Sequence, residues 1–233
     1  MSVGIRRVGS HALLAEADGL EQVLALRGAL DADRPRGVRE LVAAARTLLV
    51  TYDPAITSHP AVAAAVTERA AALGPAGHTT PGTPSAPAGS AGSAGSAESA
   101  EPVREEIVTL AVRYDGEDLS DVAELTGLGV GEVIARHTAP LYTVAFAGFA
   151  PGFGYLTGTD PLLRLPRRSE PRTAVPAGSV AVAGGFTGVY PRSSPGGWQL
   201  LGTTDAVLWD EWRDPPALLV PGSHVRFVPQ EIR

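Results

Sequence analysis

Three stretches of this sequence combine residue types that bind or transform small molecules. Gly148-Phe-Ala-Pro-Gly-Phe-Gly-Tyr-Leu156 sets three glycines among two Phe and a Tyr. Glycines let a backbone approach a ligand and turn its N–H groups toward an anion, and aromatics wall a pocket, so Gly152, Phe153 and Tyr155 are candidates for substrate or nucleotide contact. The same composition also makes a tight corner between strands. Residues 161 to 192 hold five arginines (Arg164, Arg167, Arg168, Arg172 and Arg192) against one acid, Glu170. Guanidinium groups take carboxylate and phosphate in bidentate fashion, so this excess marks either an anion site or a solvated face. Tyr190-Pro-Arg-Ser-Ser-Pro-Gly-Gly-Trp198 is held by two prolines and two glycines. It reads as a rigid binding element offering Arg192, Ser194, Gly196 and Gly197, or as a long hairpin connection.

Histidine is the usual proton-transfer residue near neutral pH, and His137 stands just before the strand that leads into the Gly-Phe loop. It is read as a general acid/base or as a cap on the end of a helix. The other histidines, His11, His59, His78 and His224, have no partner at helical or strand spacing, and no EF-hand or HExxH pattern occurs; no metal site is expected.

Several chemistries are excluded by composition. The 233 residues contain no Cys, and all 19 basic residues are Arg. A thiol nucleophile, a disulfide, a thiolate metal site, a Schiff-base lysine and a Walker A lysine are therefore impossible. A net charge of −6 argues against nucleic-acid or anionic-membrane binding. The uncharged run from Thr138 to Thr159 is interrupted by Pro140, Gly148, Pro151, Gly152 and Gly154, so it is not read as a membrane span. With no signal-like apolar run near the N-terminus, a cytoplasmic protein is expected.

The elements that must position these residues fall into two groups. Of the 29 residues from Gly74 to Pro102, 26 are Ala, Gly, Ser, Pro or Thr. Such a segment cannot bury enough surface to offset its ordering entropy, so residues 75–102 read as a flexible linker with a reach of about 30 Å. It separates a small domain (1–74) from a larger one (103–233). In the first, Ala12 to Ala17 and Thr47 to Tyr52 read as strands and 19–32 as a helix; a second helix follows Ser58, its expected cap, and 38–45 is ambiguous. In the second, Ile107 to Tyr114 reads as a strand, and Leu119 to His137 as two helices joined at Gly127 to Gly129. Short β-rich runs follow at Leu141–Phe149, Ser179–Ala183, Phe186–Tyr190, Trp198–Gly202, Ala206–Trp209 and His224–Val228. The fold class is thus an α+β N-terminal domain followed by a mostly-β barrel or sandwich.

Taken in order, these segments resemble one family. They are His137-Thr-x2-Leu-Tyr, Gly148-Phe-x-Pro-Gly-Phe-x-Tyr-Leu156, Pro171-Arg-Thr-x-Val-Pro-x-Gly-Ser-Val180, Thr187-Gly-x-Tyr-Pro, Ser194-Pro-Gly-Gly-Trp-Gln199 and Pro221-Gly-x-x-Val-Arg-Phe-Val228. With Ser10-His-Ala-Leu-Leu and Thr47-Leu-Leu-Val-x-Tyr-Asp-Pro54, the chain is similar to the KipI / allophanate hydrolase subunit 1 family, which includes a subunit of bacterial 5-oxoprolinase. The resemblance implies a cyclophilin-like barrel and an ATP-hydrolysing 5-oxoprolinase subunit that opens 5-oxo-L-proline to L-glutamate. It implies ATP, as its Mg complex, and two partners: a homologous KipA-like subunit and a third, hydrolase-like subunit. The same family also implies alternatives, a KipI-like inhibitor of a sensor histidine kinase or an allophanate hydrolase subunit 1.

Overall fold

The structure, a computed structural model, describes residues 1–73 and 107–230. The segment read as a linker, 75–102, lies outside the described residues. Two compact units are formed, Met1–Arg104 and Glu105–Arg233.

The first unit runs β1 (Gly4–Val8), β2 (Ala12–Glu16), α1 (Leu20–Ala32), β3 (Val38–Ala43), β4 (Thr47–Tyr52) and α2 (His59–Ala72). The strands make an antiparallel sheet of order β1-β2-β4-β3. Alternation decides the buried face: Leu13 lies opposite Val50 and Ala15 opposite Leu48, and all four are sealed from solvent. Against the sheet lie Val23, Leu26 and Leu30 of α1 and Val62, Val66 and Ala70 of α2, spaced at roughly one helical turn. The ambiguous run 38–45 is β3, whose bulge between Val38 and Leu41 interrupts a clean alternation. Ser58 does precede α2, but its hydroxyl makes no capping hydrogen bond.

The second unit opens with β5 (Ile107–Val112), α3 (Leu119–Thr126) and α4 (Val130–Thr138). Gly127, at φ 68°, ends α3 in the left-handed conformation that glycine adopts without strain. Then come β6 (Tyr142–Ala147), β7 (Gly154–Thr157), β8 (Arg172–Val175), β9 (Ser179–Ala183), β10 (Phe186–Val189), β11 (Ser194–Gly196), β12 (Gln199–Thr203) and β13 (His224–Pro229). Seven of these strands form one sheet of order β12-β9-β10-β7-β6-β13-β5, while β8 and β11 pair separately as a ribbon. Ala206–Trp209, expected to be a strand, makes only an isolated bridge between Trp209 and Ala217. β7 and β11 escape a reading of the sequence because their glycines and proline resemble loop composition, and β8 is only four residues between Pro171 and Pro176.

The edge strands of the seven-stranded sheet meet, giving an almost closed barrel. Arg113 donates its N–H to the Thr203 carbonyl at 2.8 Å and accepts from the Thr203 N–H at 2.8 Å. The seam continues through Gly116 N–H to the Leu201 carbonyl at 3.2 Å. The chains approach so closely that a Cβ on Gly202 would collide with the Arg113 carbonyl oxygen. Inside the barrel lie Leu110, Tyr142, Val144, Leu156, Val180 and Phe227. β9 is buried on both faces: Val180 points into this core, while Ala181 and Ala183 face outward beneath Phe153, Tyr190 and Trp198. Small residues on that outer face leave room for a layer of aromatic rings.

Candidate functional site

That aromatic layer floors a groove of about 260 Å³. Phe153 meets Trp198 edge-to-face with centroids 5.5 Å apart, and Tyr190 likewise at 5.5 Å. Tyr155 stacks on Phe146 at 4.4 Å and contributes a further wall. On the lip stands Phe149, 57% exposed and at φ 66°, a left-handed conformation that strains a bulky residue. Gly196 and Gly197 form the opposite wall. A Cβ on Gly196 would collide with the Tyr190 hydroxyl, so only glycine lets that hydroxyl lie where it does. Burial pushes the Tyr155 and Tyr190 hydroxyls above their ordinary pKa, so both are protonated near neutral pH and can donate hydrogen bonds.

Arg167 and Arg168 supply the charge of the groove. They are not equivalent. Arg168 pairs with Asp118, a carboxylate almost wholly buried, whereas among the described residues no carboxylate pairs with Arg167. Burial would raise the Asp118 pKa. The Arg172 hydrogen bonds, the Leu200 amide and the charges of Arg172 and Arg168 outweigh burial and hold it below the usual carboxylate range. The groove therefore combines an apolar floor, neutral hydroxyl donors and one uncommitted guanidinium. That set can hold a small ring carrying one carboxylate.

Of the residues singled out from sequence, Phe153, Tyr155, Arg167, Arg168, Gly196 and Gly197 line this groove. The rest stand elsewhere. Gly152, buried at φ 84°, backs the loop onto Leu208 and Trp209, where a Cβ would meet Trp209 Cβ at 2.9 Å. Arg172 is turned to Asp118 and Glu117. Arg192 is exposed, and the Ser194 hydroxyl donates to the Arg192 carbonyl at 2.9 Å.

His137, expected as an acid/base, is completely buried in the barrel core and does not line the groove. Its ring lies 4.6 Å from Phe227 and its Nδ1 2.7 Å from the Tyr114 hydroxyl. Burial pushes its pKa down to about 3. It nevertheless sits in the last turn of α4, as its reading as the end of a helix required.

Sequence reasoning overlooks Asp118, because its partner Arg172 is 54 positions away and nothing local connects them. It also passes over Tyr190 and Trp198 as site residues, although both flank the segment chosen for its turn chemistry.

Residues 3–219 match the carboxyltransferase domain, subdomain C and D, family. Over 116 residues the chain is 53% identical to the 5-oxoprolinase B subunit of Escherichia coli O157:H7, covering 50% of this chain and 53% of that protein. To the 5-oxoprolinase B subunit of Bacillus subtilis (strain 168) it is 48% identical over 129 residues, 54% of each chain. The chain thus spans about half the length of the curated relatives it matches. Among solved structures, TTHA0988 superposes with a TM-score of 0.69 at 36% identity, covering 96% of this chain and 40% of that one. The Kluyveromyces lactis urea carboxylase shares the fold at 18% identity, with a TM-score of 0.67 over 98% of this chain and 22% of that one. The motif resemblance and the barrel are both borne out, and the chain belongs to the carboxyltransferase domain, subdomain C and D, family.

Proposed function

We propose that this chain is one subunit of a 5-oxoprolinase that opens 5-oxo-L-proline to L-glutamate. The observation that carries the reading is the groove itself, an apolar aromatic floor with one uncommitted guanidinium at its edge. 5-Oxoproline is a five-membered lactam bearing one carboxylate. Its ring suits the faces of Phe153, Tyr155 and Trp198, its carboxylate suits Arg167, and its lactam oxygen can accept a hydrogen bond from a protonated tyrosine. The names of the curated relatives support the same substrate.

Ring opening breaks the lactam C–N bond; water supplies the oxygen of the new carboxylate, and the nitrogen leaves as the free amino group. ATP, held in the assembled complex, would activate the lactam carbonyl by transferring its γ-phosphoryl group to that oxygen with release of ADP, and hydrolysis would free the phosphate together with glutamate. One free guanidinium suits a monocarboxylate and not a polyanionic triphosphate, so ATP and its Mg belong to the assembled complex, with a homologous KipA-like subunit and a third, hydrolase-like subunit. In this chain Arg167 orients the carboxylate, the aromatic floor excludes water from the ring, and the tyrosines hold the carbonyl. Among the described residues no helix is long and apolar enough to cross a membrane, which is compatible with action on a dissolved metabolite.

The test is reconstitution. The purified chain, combined with the KipA-like and hydrolase-like homologues of the same organism, should convert 5-oxoproline to glutamate only with ATP. A complete, stable complex that forms no glutamate would overturn the reading.

A further inference from the structure

Phe149 occupies a backbone position that suits its residue type badly. Its φ is 66°, and the Ala150 N–H donates back to the Gly148 carbonyl at 2.7 Å, closing a γ-turn around it. With positive φ such a turn is rare, and it is strained for any residue that carries a Cβ. The surrounding loop holds it there. Phe153 N–H donates to the Ala150 carbonyl at 3.0 Å, closing a second turn centred on Pro151 and Gly152, and Gly152 takes φ 84° in it. Gly148 N–H donates to the Phe153 carbonyl at 3.2 Å and ties the ends of the loop together. Behind it, the Leu208 carbonyl oxygen and Trp209 Cβ lie 3.0 and 2.9 Å from where a Cβ on Gly152 would stand, so the loop has no room to retreat.

Folding gains little from the ring held in this way. Of the aromatic residues lining the groove, Phe153, Tyr190 and Trp198 are buried and Tyr155 is half-buried, while Phe149 is 57% exposed. The accessible aromatic surface of the groove is therefore largely that of Phe149. Its ring stands at 73° to Phe153 and 83° to Tyr190, and those two stand at 80° to each other. Three steeply inclined rings form the inside of a corner, where a flat ring meets one of them face-on and the others edge-on.

We infer that Phe149 is the specificity-determining residue of the groove: its ring closes over a small, flat-ringed monocarboxylate and turns away thicker rings. The locked backbone keeps the ring from yielding, and dispersion attraction is lost within a fraction of an ångström of misfit. Arg167, lining the same groove, takes the carboxylate. The amide of 5-oxoproline keeps its five-membered ring nearly flat, so that molecule meets the requirement. Naming it as the ligand rests on the proposed function, whereas the preference for flat rings rests on the loop and the three rings.

The test is calorimetric titration of the full chain with 5-oxoproline, with pyrrole-2-carboxylate, which is flat, and with cyclohexanecarboxylate, which is puckered. The native chain should bind the two flat acids at least about 10-fold more tightly than the puckered one. Phe149→Asn removes the ring and accepts positive φ readily. It should weaken binding of the flat acids about 10-fold or more, erase the preference, and leave the melting temperature unchanged or raised. Phe149→Tyr should retain both affinity and preference.

Unchanged affinity for the flat acids in Phe149→Asn overturns the inference, as does a preference that survives the substitution or a native chain that binds none of the three acids. A melting temperature lowered by about 5 °C or more in Phe149→Asn overturns it too, because the ring then serves the fold. Phe149-dependent binding of pyrrole-2-carboxylate without binding of 5-oxoproline would sink the oxoprolinase reading and leave the inference standing. A reconstituted complex that forms glutamate with the same KM in Phe149→Asn would do the reverse.

Discussion

Arg172 grips both oxygens of Asp118, Nη1 donating to Oδ2 at 2.9 Å and Nη2 to Oδ1 at 2.8 Å. Asp118 also accepts the Leu200 N–H at 2.8 Å and pairs with Arg168, so one carboxylate joins the barrel seam to the cationic edge of the groove.

Removing that carboxylate leaves two guanidinium groups and an amide without their partner. Asp118→Ala is expected to cost about 3 kcal/mol, read from urea unfolding at pH 7. The sign of the pH effect follows from a folded pKa below the unfolded one of about 3.9. The stabilisation is present above pH ~4 and is lost as pH falls through the folded value. Asp118→Asn should lack this component of the acid transition; an acid limb identical to that of the native chain would remove Asp118 from its cause.

Barrel closure leaves no room for a side chain at Gly202, because the obstacle is the Arg113 carbonyl rather than a movable side chain. Gly202→Ala should destabilise the second unit by ~3 kcal/mol or prevent its folding, monitored by near-ultraviolet circular dichroism. A variant as stable as the native chain would mean that the seam opens freely.

His137 is neutral in the folded chain, with a pKa pushed down to about 3 by burial. The unfolded chain takes up a proton below about 6.5 and the folded chain does not, so stability must fall as pH drops from about 6.5 toward 3. One such group gives a slope of about 1.4 kcal/mol per pH unit within that window. His137→Leu should lower stability at pH 7, because Tyr114 loses its partner, and should also reduce the slope between pH 6 and 4. A slope unchanged by the substitution would show that other groups set it.

Of the two groove arginines, Arg167 is the one that no carboxylate among the described residues neutralises. In the reconstituted complex Arg167→Gln should raise the KM for 5-oxoproline about 10-fold to 100-fold, with little change in melting temperature, since the lost interaction is a charge-assisted hydrogen bond to the ligand. Unaltered KM would place the carboxylate elsewhere.

The legible parts of the sequence are those governed by local rules. The β-rich runs Thr47–Tyr52 and Ser179–Ala183, and the Gly127 stop between α3 and α4, are read directly because neighbours in sequence decide them. In the site, the Gly-Phe loop and the Gly196-Gly197 turn are found by composition. Long-range contacts decide the rest. His137 is drawn into the core by Tyr114, Tyr142 and Phe227. Of the five arginines in the cationic stretch, Arg168 and Arg172 are claimed by an aspartate from the start of α3. β1, with Arg6 and Arg7 in five residues, carries no apolar alternation of its own and becomes a strand only by pairing with β2.

The place of β13 in the sheet has a consequence for synthesis. It lies between β6 and β5, running parallel to β5, with His224 in register with Ile107 and Pro229 with Val112. Two strands separated by more than a hundred positions must therefore wait for each other. On the ribosome, β5 and the outer edge of β6 stay unpaired until residue 229 has left the exit tunnel, while the first unit, whose partners are all local, can fold long before. The interval between those two events is when nascent chains of this protein most need a chaperone.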